Sequence, residues 1–132
     1  MSDHSYTMTV TIDAEPVEVE ARIREALKDE GFGILSEIDV EGALREKLGE
    51  EIGAYKILGA CNPPLAKRAI AADPDVGALL PCNVVVRANP NGGTDVVAAD
   101  PMSMLEIGAE GLSEVAEEAR AGIQRALETV SG

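Results

Sequence analysis

The stretch that decides the fold runs from Tyr55 to Val86: YKILGACNPPLAKRAIAADPDVGALLPCNVVV. Tyr55 to Cys61 reads as a strand, with Gly59 permitting close backbone approach. Asn62-Pro63-Pro64 is a strong helix start, because asparagine caps well and proline is tolerated in the first turn. Leu65, Ala66, Ala69 and Ile70 give that helix its apolar face. Asp73-Pro74 restarts a short helical turn through Leu80, Pro81 stops it, and Cys82 to Ala88 forms the next strand. Asn89-Pro90-Asn91-Gly92-Gly93 is a hairpin turn, so Thr94 to Ala99 returns as a further strand.

Working outward, Tyr6 to Ile12 alternates apolar residues with Thr7, Thr9 and Thr11, as a half-buried strand does. Pro16 opens a helix striped by Val19, Ile23, Ala26 and Leu27, and Gly31 is placed to end it. Phe32 to Val40 reads as a strand with Phe32, Ile34 and Ile38 facing inward and an irregularity near Ser36. Asp39 caps a short helix whose buried stripe is Ala43, Leu44 and Leu48. The last helix is the clearest: Leu112, Val115, Ala116, Ala119, Ile123, Ala126, Leu127 and Val130 recur at three- and four-residue spacing. These elements predict one domain over 1–132, of the α+β class: a two-layer sandwich with a mixed, mostly antiparallel sheet.

Composition narrows the function. Of 132 residues, 24 are acidic and 11 basic, a net charge of −13. Such a field repels phosphate, so neither nucleic acid nor an anionic membrane is an expected partner. The dispersed acids and only four lysines suit a high-salt cytoplasm, which predicts a halophilic source. The opening MSDHSYTMTV lacks the basic and apolar regions of a signal peptide, and no run of apolar residues is long enough to span a membrane. A cytoplasmic location is expected. There is no Trp, one Phe and two Tyr, so a stacking platform for bases or sugars is missing. The sole histidine, His4, lies near the N-terminus, which nearly excludes histidine catalysis and multi-histidine metal sites.

The chemistry-bearing residues are Cys61, Asn62, Cys82, Asn83 and Asp100. Both cysteines precede an asparagine; one ends a strand and the other begins one. If those strands are neighbours, and the residues between the two cysteines fold back over the sheet, the thiols can come close. Cys61 stands before a helix N-terminus, a setting that favours thiolate, the nucleophilic and metal-binding form. Cys82 begins an apolar strand, where burial favours the thiol. Such a pair suits attacking and resolving thiols, but free cysteine is also a common buried packing residue. Asn62 reads either as a ligand contact or as a cap, and Asp100 before Pro101 either as a site residue or as a turn former. Asp39 and Asp73 are explained by capping. Two thiols make half a tetrahedral zinc site, so a metal would need cysteines from two subunits.

At these residues the chain resembles the domain of unknown function 302 family of small bacterial and archaeal proteins. The resemblance runs from the first strand to Asp100-Pro101 and includes Glu30-Gly31-Phe32-Gly33 and Ile38-Asp39-Val40. It implies a β-α-β fold of TATA-binding-protein-like type and a homodimer. It implies no activity, cofactor or catalytic residue, although Cys61, Asn62, Pro63, Pro81, Cys82 and Asn83 match the family pattern. The apolar segment Met102, Met104, Leu105 and Ile107 offers physical support for the dimer. Three functions remain open: a binding or accessory module without turnover, with room for a small-molecule ligand; a thiol-dependent redox or sulfur-handling enzyme; and a metal-binding protein using intersubunit cysteines.

Overall fold

The structure, a computed structural model, describes residues 6–105 and 111–132, the side chain of Met104 excepted. His4 and Ile107 lie outside the described residues. The elements are β1 (Thr7–Ile12), α1 (Pro16–Asp29), β2 (Gly33–Asp39), α2 (Val40–Leu48), β3 (Tyr55–Cys61), α3 (Pro63–Ala72), a 3-10 turn (Pro74–Leu79), β4 (Cys82–Ala88), β5 (Thr94–Ala99), α4 (Pro101–Leu105) and α5 (Leu112–Ser131).

The five strands form one sheet in the order β1-β5-β4-β3-β2, and every pairing is antiparallel. Helices cover one face, giving the α+β sandwich. On the covered face, Met8, Val10 and Ile12 of β1 join Leu58, Val84, Val86, Val96 and Ala98. Val19, Ile23 and Leu27 of α1 pack onto them with Ile123, Ala126 and Leu127 of α5. The apolar stripes expected for these two helices are the buried ones. A second cluster, with Ala69, Val76, Leu105, Leu112, Val115 and Ala116, joins α3, the 3-10 turn, α4 and α5.

Capping places the helix starts. The side chains of Asp39, Asn62 and Asp73 accept from the backbone N–H groups of Gly42, Leu65 and Asp75. Gly31, at φ +85, follows α1 in the left-handed conformation that lets the chain turn into β2.

Three expectations fail. Ile38 does not face inward: it is 53% exposed. The cause is a bulge. Ile34 pairs with Ala60 and Ser36 with Gly59, so Leu35 is an extra residue. One extra residue inverts the alternation beyond it. Ile38 therefore lies opposite Ile57 on the open face of the sheet. The second failure is α2, which has no buried residue; Leu48 is 68% exposed. The amphipathic pattern is there, but α2 belongs to the β2–β3 connection rather than to the helical layer. Ile70 of α3 is likewise exposed, since the main and second clusters both lie on the other side of that helix.

Candidate functional site

β3 and β4 are neighbours, and Ala60 of β3 lies opposite Cys82 of β4. Cys61 is thus one residue out of register with Cys82. Spacing in a regular antiparallel pair puts their α-carbons about 6 Å apart. Both cysteines are free and partly buried. Cys82 packs against the main cluster, with Leu65 and Ile34 in the same shell. Cys61 ends β3 where the chain turns into α3.

The two residues line one cavity of about 40 Å³. Its walls are apolar, with Phe32, Leu65, Leu80, Leu105, Val115 and Ala119 among the lining residues. A neighbouring cavity of about 150 Å³ shares Leu80, Pro81, Cys82 and Leu105 and extends to Asn83, Ala99 and Pro101. Cys82 stands between the two.

Close approach of the backbone builds this corner. A Cβ on Gly59 would collide with Ser36 Oγ and lie 2.8 Å from Pro81 Cγ. Glycine here lets Pro81 seat against β3, which fixes where β4 starts and so where Cys82 sits. The Leu80–Pro81 peptide is cis.

Electrostatics separates the thiols. Burial, and secondarily the charge of Cys61, push the Cys82 thiol up to about 11. Cys82 therefore stays protonated near neutral pH. The first turn of α3 has no N–H to offer Cys61. Pro63 and Pro64 carry none, Leu65 N donates to Asn62 Oδ1 at 3.2 Å, and Ala66 N donates to Asn62 O at 2.8 Å. The donor groups invoked from sequence for a Cys61 thiolate are absent or already used.

The polar neighbours have structural work. Asn62 caps α3. Asp100 accepts from Met102 N at 2.9 Å, which starts α4, and from Arg120 Nε at 3.2 Å. Ala99 and Pro101 line the larger cavity, with Asp100 between them in the chain. Asn83 is exposed on the open face opposite Gly59 and reaches the rim of that cavity. The structure thus brings Cys61, Cys82, Asn62 and Asn83 to one corner of the sheet. Sequence reading did not find the apolar lining from Phe32, Leu105 and Val115; their helical or strand periodicity marks them only as core. Among the described residues, no group of three or more His, Cys, Asp or Glu is placed to hold a metal.

The model of the family described as domain of unknown function DUF302 matches residues 8–130. The chain belongs to the DUF302 family. The fold agrees with a solved DUF302 structure, the crystal structure of an uncharacterized conserved protein from Bacillus stearothermophilus. That protein is 30% identical, with a TM-score of 0.87 over 96% of this chain and 98% of that one. No curated protein matches. The DUF302 assignment therefore confirms the family and the α+β fold and brings no activity with it. Among the described residues, no helix is long and apolar enough to cross a membrane.

Proposed function

We propose that this DUF302 protein is a homodimeric cytoplasmic binding module without turnover, whose ligand site is the apolar cleft at Cys61 and Cys82. The observation that carries the site is that two free cysteines are among the residues lining one apolar cavity. Asn62 and Asp100 are committed to caps and an ion pair, so they leave the cleft without a mobile acid or base. A Cys82 thiol held up at about 11 is a poor nucleophile at neutral pH, which favours binding over thiol-dependent redox or sulfur-handling turnover. Two unpaired cysteines fit a reducing compartment, hence the cytoplasmic placement.

Xenon is a suitable probe of an apolar cleft. Under xenon pressure, methyl resonances of Leu65, Leu80, Leu105 and Val115 are expected to shift saturably. Uniform weak shifts across the protein would remove the ligand site.

The surface proposed for the second copy is the open face of the sheet. Ile38, Ile57, Val85, Val97 and Thr9 lie opposite one another in a single row across all five strands. The flanking rows hold Ser36, Gly59 and Asn83 on one side and Tyr55, Arg87, Asp95 and Thr11 on the other. Arg87 and Asp95 neutralise each other at 3.1 Å. In a chain of net charge −13, this uncharged face is where an equally acidic copy can approach. Five strands and three rows span about 20 Å by 20 Å, on the order of 400 Å² per copy. Two copies meeting there would bury on the order of 800 Å² in total, close to the ~1,000 Å² that a specific interface needs. The Met102–Ile107 segment does not serve as first expected. Leu105 is buried in the second cluster with Met102 against it, and Met104 and Ile107 lie beyond what is described. Light scattering should give twice 13.8 kDa, reduced to one chain by Ile38→Glu. A wild-type monomer at high concentration would sink the dimer.

A further inference from the structure

We propose that the groove between α3 and α5 binds a small apolar carboxylate, its head on the Arg125 guanidinium and the Asn62 amide, a proposal that rests on the binding-module reading and names its ligand class. The groove has a volume of about 430 Å³. Phe32, Asn62 and Leu65 line both the groove and the apolar cleft, so the two spaces share a wall. In a chain with 11 basic residues and a net charge of −13, two arginines, Arg68 and Arg125, line this one groove.

The donors gather at the Glu30 end of the groove. A Cβ on Gly122 would lie 3.0 Å from Phe32 Cε1 and 3.8 Å from Arg125 Nη2. Glycine leaves that place open, beside both the ring and the guanidinium. Arg125 Nε donates to Glu30 Oε1 at 2.8 Å, which tethers the guanidinium and leaves its two terminal nitrogens as donors. Asn62 comes to the same end, because its Nδ2 is 3.1 Å from the Cβ position of Gly31, the residue after Glu30. Asn62 Oδ1 accepts from Leu65 N at 3.2 Å, so the cap fixes the amide. Among the described residues Nδ2 donates to no protein group and is not buried. At the other end Arg68 Nη1 pairs with Glu118 Oε2 at 2.7 Å. Glu118 and Arg125 stand two helical turns apart on α5, about 10 Å.

The donor set selects the ligand. Terminal guanidinium nitrogens and an amide N–H match a planar carboxylate. Glu30 and Glu118 balance the two arginines in the lining, so a single negative charge is favoured over a phosphate dianion. Phe32, Leu65 and Gly122 call for a hydrocarbon body behind the head.

The test titrates hexanoate into the intact, isotope-labelled protein at constant ionic strength, with hexanol as the uncharged control. Saturable shifts are expected at Arg125 Nε–H, the Asn62 side-chain amide and the Leu65 methyls. Hexanol should bind at least about tenfold more weakly, and Arg125→Gln should weaken hexanoate by about tenfold to a hundredfold. Glu30→Gln removes the group that competes for Arg125, so it should tighten hexanoate by about twofold to fivefold. A purely structural role for the Arg125–Glu30 pair would weaken both variants alike. Thermal melts show that the variants are folded; should Arg125→Gln unfold, Glu30→Gln and the hexanol comparison decide. Equal affinity for hexanol and hexanoate overturns the site. So does unchanged affinity in folded Arg125→Gln, or weaker binding in folded Glu30→Gln. If xenon fills the cleft while hexanoate gives no saturable shift, the carboxylate site falls and the binding module stands. If neither enters, both fall.

Discussion

Replacing Asp95 should reveal how much one buried carboxylate holds. Asp95 is only 4% exposed and lies near the β4–β5 turn. It accepts from Thr11 Oγ1 at 2.6 Å, Asn89 Nδ2 at 2.9 Å and Arg87 Nε at 3.1 Å. Burial pushes its carboxyl up, but the bonds from Asn89, Thr11 and Arg87 outweigh that and hold it below the usual aspartate range. A hydrogen bond to a charged acceptor contributes about 1.5–3 kcal/mol, so three bound the loss at roughly 4–9 kcal/mol. Much of this returns on mutation. Thr11 is exposed and the Arg87 side chain is 43% exposed, so both can rehydrate. Asp95→Ala should therefore cost about 3 kcal/mol, and Asp95→Asn about 2 kcal/mol, because the new amide meets donors on either side. Urea unfolding at several pH values is the assay. The folded value lies below the unfolded one of about 3.9, so the carboxylate's contribution is complete above that pH. It is lost as pH falls through the lowered folded value. The gap between wild type and Asp95→Ala should be constant from neutrality to about pH 5 and then close in acid. A loss under about 0.5 kcal/mol at neutral pH, or a gap undiminished at about pH 2, would refute the reasoning.

Other expectations are simpler. Gly59→Ala should overpack the contact with Ser36 and Pro81, at about 1–3 kcal/mol and roughly 5–10 °C in melting midpoint; an unchanged midpoint would remove the close-approach role. Alkylation of Cys82 in the native protein, followed by peptide mass spectrometry, should stay slow through neutral pH and rise steeply only toward about 11. A rise near an ordinary thiol value would contradict its burial. A net charge of −13 predicts a melting midpoint that climbs from low to molar KCl. A flat or falling midpoint would remove the halophilic reading of the composition.

Where periodicity and local chemistry agree, the sequence was readable. The stripes of α1 and α5, the caps at Asp39, Asn62 and Asp73, and the strand boundaries at Cys61 and Cys82 all follow from residues close together in the chain. What failed depends on distant partners. The bulge at Leu35 exists because Ser36 fits against Gly59, and it alone turns Ile38 outward. The amphipathic pattern of α2 cannot tell that the helix lies off the main core. Asp95 is anchored from positions 11, 87 and 89, and Asp100 from position 120; no local motif marks either. For the cysteines, sequence supplied the strand ends, and the β4-β3 adjacency supplied the cavity wall that both residues line.

The most direct measurement is a cross-link between the two cysteines. Dibromobimane fluoresces only after both of its arms have reacted with thiols, so it reports whether Cys61 and Cys82 share one cavity. It should be applied to the native, reduced protein at about pH 9, where the more buried thiol begins to react. Bright cross-linked monomer is expected, joining the Cys61 and Cys82 peptides of one chain, with no fluorescence from Cys61→Ser or Cys82→Ser. Single-arm adducts alone in the folded protein, with bridging only after unfolding, would contradict the paired-thiol site.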